Sequence, residues 1–243
     1  MDPVEYDLMD ATEEGMWWYR AAHARIADAL VGRPGPDGPL LDAGCGTGGF
    51  LKRIAGLRPG LRTIGLEWMP EAARRAAAKS GAPVVSGDIN ILPFADARFG
   101  AAVSVDVLCH KAVRPEAALA ELRRVLLPGG TLVLNLPAFE WLRSAHDIRV
   151  HTARRLTAAG ARRMLEDAGF ERVTTRYWNS LLLPLMAVQR KIVARRPDAP
   201  SDVTHFPPWL DATLHAVTEA ERRVRLPWPA GGSVLAVASR PAS

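Results

Sequence analysis

Cysteine is scarce in this 243-residue chain, with Cys45 and Cys109 the only two. Such a pair carries neither a disulfide framework nor the ligand spacing of a zinc site. Long apolar runs are missing too, and no stretch approaches the ~18 consecutive apolar residues of a spanning helix. The opening MDPVEYDLMDATEEGMWWYR is acidic where a secretory leader is basic, and it lacks an apolar middle. The expected location is the cytoplasm. There is no internal repeat and no low-complexity tract. With 48% hydrophobic residues, 23% charged and a mean hydropathy of −0.02, the composition is that of a globular protein. The net charge of +5 is mostly scattered arginine, which reads as a solvated surface. The alternative is an anionic partner, whether RNA, a phosphorylated substrate or a membrane face.

Short apolar runs alternate with helical patterns, the signature of stacked βαβ units and a mostly parallel sheet. Strands are expected at 39–45, 62–68, 82–89, 99–107 and 130–138, with PGG at 128–130 ending the helix before the fifth. A sixth follows at 171–180 and a seventh at 233–241. Helices are expected at HARIADALV, preceded by the aromatics Trp17, Trp18 and Tyr19, at TAAGARRMLEDAGF, and in two pieces between 181 and 226. We expect a single domain over 1–243. Its parts are an aromatic N-terminal lid and helix (1–31), a ligand-binding core (39–138) and a substrate-side half (139–243) with a helical insertion at about 181–226.

The first strand runs into GCGTGG and then a helix, a turn that lets bare backbone approach a ligand at a helix N-terminus. The spacing fits two patterns. Gly44, Gly46 and Gly49 satisfy G-x-G-x-x-G, while Asp42, Gly44, Gly46 and Gly48 satisfy D-x-G-x-G-x-G. Charge separates them. Against a pyrophosphate, the Asp42 carboxylate would face like charge, costing roughly 4 kcal/mol at about 4 Å and an effective dielectric near 20. A cationic ligand reverses that sign, and S-adenosylmethionine, with a sulfonium, an ammonium and no phosphate, is one. Glu67, at the end of the second strand, has the spacing of an acid that accepts from ribose hydroxyls, or else is a solvated strand-end carboxylate. Asp88 could accept from the adenine amino group while Ile89 packs on the ring, or Asp88 could cap the next turn. Asp106 ends the fourth strand on the same carboxyl edge of the sheet.

These motifs, with SVDVLCH and LRRVLLPGGTLVL, resemble the ordered motif set of class I S-adenosylmethionine-dependent methyltransferases, type 11-like. The flanks resemble a bacterial small-molecule group with a WW-aromatic start, an HD…H…RR…T segment and a closing LP…GGSVLAVA. The resemblance implies a Rossmann-like seven-stranded sheet of order 3-2-1-4-5-7-6, with strand seven antiparallel and helices on both faces. It implies a cofactor set of Tyr19, Asp42, Ala43, Gly44, Cys45, Gly46, Gly48, Glu67, Trp68, Asp88, Ile89 and Asp106, and S-adenosylhomocysteine as product. Where the related pattern reads GHxRRYT this chain has VHTARRLT, so no role carries over for that tyrosine.

Methyl transfer is an in-line displacement, and a base is needed only if the acceptor must lose a proton. The candidates are His110, the His146–Asp147 pair and His151. Each also has a structural reading: His110 as a helix cap, His146–Asp147 as a helix end, and His151 with Arg154 and Arg155 as either a grip on a substrate anion or a solvated loop. Trp18, His151 and Arg155 are taken as substrate contacts, and no metal site is assigned. The apolar half of 181–196 roofs a greasy pocket or docks on an anionic membrane face. Leu210, Leu214, Val217 and Val224 mark core packing or a dimer face, leaving monomer and homodimer open. The expected function is methylation of a small, apolar or lipid-like acceptor. Two alternatives remain: RNA methylation, which the absence of an N/D-P-P-Y/F motif after the fourth strand argues against, and cofactor binding without transfer.

Overall fold

The computed structural model describes residues 2–190, 205–224 and 226–242. Seven strands form one sheet in the order β3-β2-β1-β4-β5-β7-β6. β1 (Leu40–Ala43) pairs in parallel with β2 (Thr63–Glu67) and β4 (Phe99–Val105), β3 (Val84–Ser86) flanks β2, and β5 (Leu126–Pro137) flanks β4. β7 (Ser233–Ser239) runs antiparallel between β5 and β6 (Glu171–Trp178). This is the expected Rossmann-like topology. Strands buried on both faces explain the unbroken apolar runs: LLDA of β1 is buried at every position.

The crossover helices follow from local chemistry. α3 (Gly49–Leu57) leaves the glycine loop; α4 (Pro70–Ser80) and α5 (Pro115–Val125) each start on a proline whose missing N–H is no loss there. α6 (Ala145–Arg149) opens with a Ser144–Asp147 capping box, and α7 (Ala158–Asp167) with Thr157 accepting from Gly160 N. The main core lies between the sheet and α5 and α7, with Phe99, Leu119, Leu122 and Leu132 at its centre.

Four features depart from the sequence expectation. A helix with no sequence expectation, α1 (Pro3–Thr12), precedes the aromatic cluster. α2 (Trp17–Gly32) is longer than HARIADALV and takes all three aromatics into its first turn. α5 ends at Val125 and β5 starts at Leu126, so PGG lies inside the strand and does not terminate the helix. Of the helix expected over 181–196, α8 (Leu183–Val188) is described, and residues 191–196 lie outside the described residues. α9 (Pro208–Val224) packs on α2: Leu214 is buried with Trp17 and Leu182, Leu210 and Val217 are half-buried around them, and Val224 is exposed. Among the described residues, no helix is long and apolar enough to cross a membrane.

Candidate active site

A cavity of about 410 Å³ opens along the carboxyl edge of β1, β2 and β4. Gly44, Gly46, Glu67, Asp88 and Ile89 line one end; Asp106, His110, His146 and Arg155, with Met186 of α8, line the other. Tyr19, Cys45 and Trp18 also contribute, and the exposed Trp68 stands at the edge.

The glycine loop is built on left-handed backbone, with φ of 89° at Gly44, 56° at Gly46 and 95° at Gly48. A Cβ on Gly48 would lie 2.7 Å from Ala76 Cα, so only bare backbone lets α3 start this close to α4. Gly48 and Ala43 therefore shape the loop from behind and are not among the lining residues. Asp42 is buried, and its Oδ1 has no hydrogen-bond partner. Burial, reinforced by Glu13 and Glu67, pushes its carboxyl up to about 8.

Glu67 is held firmly: Oε2 accepts from Gly46 N (3.0 Å), and Oε1 accepts from Met69 N (3.0 Å) and the Tyr6 hydroxyl (2.8 Å). Tyr6 belongs to α1, which lies across the glycine loop. Glu13, directly after α1, accepts from the Thr47 hydroxyl and pairs with Lys79 at 2.6 Å, and Met9 of α1 sits above Gly46. The sequence expectation gave the lid to Trp17, Trp18 and Tyr19. These line the cavity wall, with Trp18 edge-on to Tyr19 and 5.8 Å from Trp178, and the element over the glycine loop is α1.

Asp88 Oδ1 accepts from both the backbone N and Nδ2 of Asn90 at 2.8 Å, so one of its oxygens already closes a turn, and Ile89 is buried beside it. Asp106 sits at φ 52°, off the end of β4. Its Oδ1 accepts from Asn135 Nδ2 (2.9 Å), and Asn135 Oδ1 accepts from Trp178 Nε1 (2.8 Å). Burial pushes Asp106 up to about 7, against the lowering pull of Asn135. His110 lines the same end; burial lowers it to about 4, and its Nδ1 is buried without a hydrogen-bond partner. It is a neutral imidazole at pH 7, with a vacant nitrogen.

Of the remaining candidates, Asp147, Arg155 and His146 also line the cavity, and His151 and Arg154 do not. Asp147 accepts from Arg155 Nε (2.9 Å) and Nη2 (3.2 Å) and from Ser144 N (2.8 Å), and both members of the pair are buried. Burial alone would raise the Asp147 carboxyl; Arg155 and the Ser144 N–H outweigh it and hold it below the ordinary range. Arg155 also donates to Ala138 O, so this pair ties α6 to the end of β5. His146 Nδ1 lies 3.9 Å from Glu5 Oε2. His151 is exposed, 3.1 Å from Asp2, and is not among the cavity-lining residues. Arg154 donates to the carbonyls of Leu108, His110 and Val113, which fixes the His110 loop. Tyr6, Glu13 and Asn135 escaped the sequence analysis because their partners lie 61, 34 and 29 residues away.

The sheet order and the glycine loop are those of a Rossmann-like α/β protein of the methyltransferase type. Residues 41–134 match the family model described as a methyltransferase domain. The chain is 37% identical over 130 residues to a rice protein named 24-methylenesterol C-methyltransferase 2, covering 51% of this chain and 34% of that one. It is 36% identical over 126 residues to the demethylmenaquinone methyltransferase of Deinococcus radiodurans, covering 48% of each. The chain thus spans a third to a half of the length of these relatives. Among solved structures, a Haloferax volcanii complex of the Trm112 methyltransferase activator with a methyltransferase aligns with a TM-score of 0.62 and 25% identity, over 98% of both chains. The match over residues 41–134, the relatives and the sheet order together support a methyltransferase domain of the S-adenosylmethionine-dependent kind, with S-adenosylmethionine as its cofactor. The site suits that ligand: the unpartnered Asp42 carboxyl behind a bare glycine loop can ionise beside a positive charge, a gain that a phosphate does not offer.

Proposed function

We propose that this chain transfers a methyl group from S-adenosylmethionine to a small acceptor with an apolar body. The observation that carries the reading is the single cavity joining the Gly44–Gly46 and Glu67 end to the Asp106 and His110 end. A nucleoside at one end and an acceptor at the other lie in line within about 410 Å³. The bound cofactor supplies a methyl carbon on a sulfonium, and S-adenosylhomocysteine leaves.

The chain's own residues then have distinct tasks. Glu67, fixed by three donors, keeps lone-pair capacity for a ribose hydroxyl. Asp88 has a second oxygen for the adenine amino group, and Ile89 offers an apolar surface to the ring. Asp42 and Asp106 favour the cationic amino-acid end. His110 Nδ1, which has no hydrogen-bond partner, would take the proton that an acceptor hydroxyl or ammonium must lose on methylation. Trp17, Trp18 and Phe206 give the acceptor end an apolar wall. That wall, and the sterol and quinone in the names of the two relatives, support a lipid-like acceptor over RNA.

Tritiated S-adenosylmethionine incubated with the protein and a cell extract tests this. Label is expected in the organic-soluble small-molecule fraction; label confined to RNA, or none transferred, refutes it. His110→Asn is expected to lower turnover ~100-fold or more while cofactor affinity holds.

A further inference from the structure

The GGS motif before β7 has no part in the reading above, and it faces a second unexplained feature. Asn179, directly after β6, is completely buried and held at φ 59°. Its Oδ1 has no hydrogen-bond partner, and its Nδ2 donates to the thioether of Met186 at 3.1 Å. Sulfur is a weak acceptor, so the amide is poorly satisfied at both ends. Buried amides are normally fully paired, because an unmet oxygen costs stability with no return inside the protein. Asn179, Met186, Gly232 and Ser233 all line the cavity. A Cβ on Gly232 would lie 2.7 Å from Met186 Cε and 3.3 Å from Asn179 Nδ2, so a glycine there keeps this corner clear.

We propose that Asn179 is the polar anchor for the acceptor, its amide oxygen accepting from a hydroxyl or amine on an otherwise apolar molecule. This deepens the methyltransferase reading and rests on it for the word acceptor. The Met186 thioether holds the place in the unliganded protein. Methionine is flexible, and α8, which carries it, has no buried residue, so the side chain yields at small cost. The orientation of the amide follows from the same contact: turned over, its oxygen would face the sulfur lone pairs. The anchor therefore selects hydrogen-bond donors, and an ether or a ketone of the same shape is disfavoured.

The test uses the full chain, saturated with S-adenosylhomocysteine, and two probes, 1-octanol and methyl octyl ether, titrated by calorimetry. The alcohol is expected to bind about tenfold more tightly than the ether, the value of one good neutral hydrogen bond. Asn179→Gly keeps the left-handed backbone without strain and is expected to bring the two probes within about twofold, leaving S-adenosylhomocysteine affinity unchanged. Met186→Ala is expected to tighten alcohol binding, and it decides the matter should the glycine variant not fold. Equal binding of the two probes, binding of neither, or a preference surviving in Asn179→Gly overturns the anchor. A preference that holds while S-adenosylhomocysteine fails to bind keeps the anchor and removes the methyltransferase reading.

Discussion

With its carboxyl at about 8, Asp42 is ~90% protonated at pH 7 in the unliganded protein. A cationic ligand close to its unpartnered oxygen changes that. One positive charge at about 4 Å, in an effective dielectric near 20, favours the ionised form by roughly 4 kcal/mol, or about three pKa units. Asp42 would then titrate near ~5, and binding would release about 0.9 proton. Asp106, at about 7, adds up to ~0.5 more if it faces the same charge. Calorimetric titration of S-adenosylmethionine at pH 7, repeated in buffers of different ionisation enthalpy, reads the released protons from the slope of heat against that enthalpy. The expected wild-type slope is about 0.9 to 1.4 protons, and Asp42→Asn should retain no more than ~0.5. Any proton from the ligand itself cancels in this difference. A wild-type slope near zero, or one unchanged in Asp42→Asn, refutes the electrostatic account of the glycine loop.

Three further outcomes are expected. Glu67→Ala strands the Gly46 and Met69 N–H groups and should weaken S-adenosylmethionine binding ~100-fold; calorimetry giving less than ~3-fold contradicts the placement. Arg155→Met takes the nearer cation from the buried Asp147, leaving it Arg190 at 3.6 Å and the Ser144 N–H, so denaturant unfolding should register a loss of about 1.5–3 kcal/mol, with much of it recovered in the Arg155→Met/Asp147→Asn double variant. Normal stability with turnover alone abolished would instead return the pair to the chemistry. Because the native state holds the Asp42 proton up to about 8 while an unfolded carboxyl loses it near ~4, the native state binds more protons across that window and stability falls as pH rises through it. Asp42→Asn removes this dependence, so its Tm advantage over wild type should be larger at pH 8.5 than at pH 5, by thermal melts of the unliganded protein.

The sheet was legible in the sequence because its determinants are local. Each buried parallel strand is a short apolar run, and Pro70 and Pro115 mark helix starts at the positions where they act. The glycine loop was legible for the same reason. What could not be read is what the topology brings together. Nothing near Tyr6 points to Glu67, and α1 has little amphipathic contrast to announce it. Asp147 and Arg155 looked like site chemistry because a sequence displays charged residue types and not their pairing. In the fold they pair with each other on the cavity wall, where His110, the histidine nearest the end of β4, keeps an unpartnered nitrogen.

The two roofs of the cavity come from opposite parts of the chain: α1 covers the glycine loop, and α8 with Phe206 lies at the other end. A nucleoside at the glycine loop and an acceptor beside Met186, as proposed, would sit under different elements. Loosening the Tyr6 and Glu13 tethers would quicken nucleoside exchange without disturbing a molecule seated beside Met186. The order of release in the catalytic cycle then depends on which latch opens first.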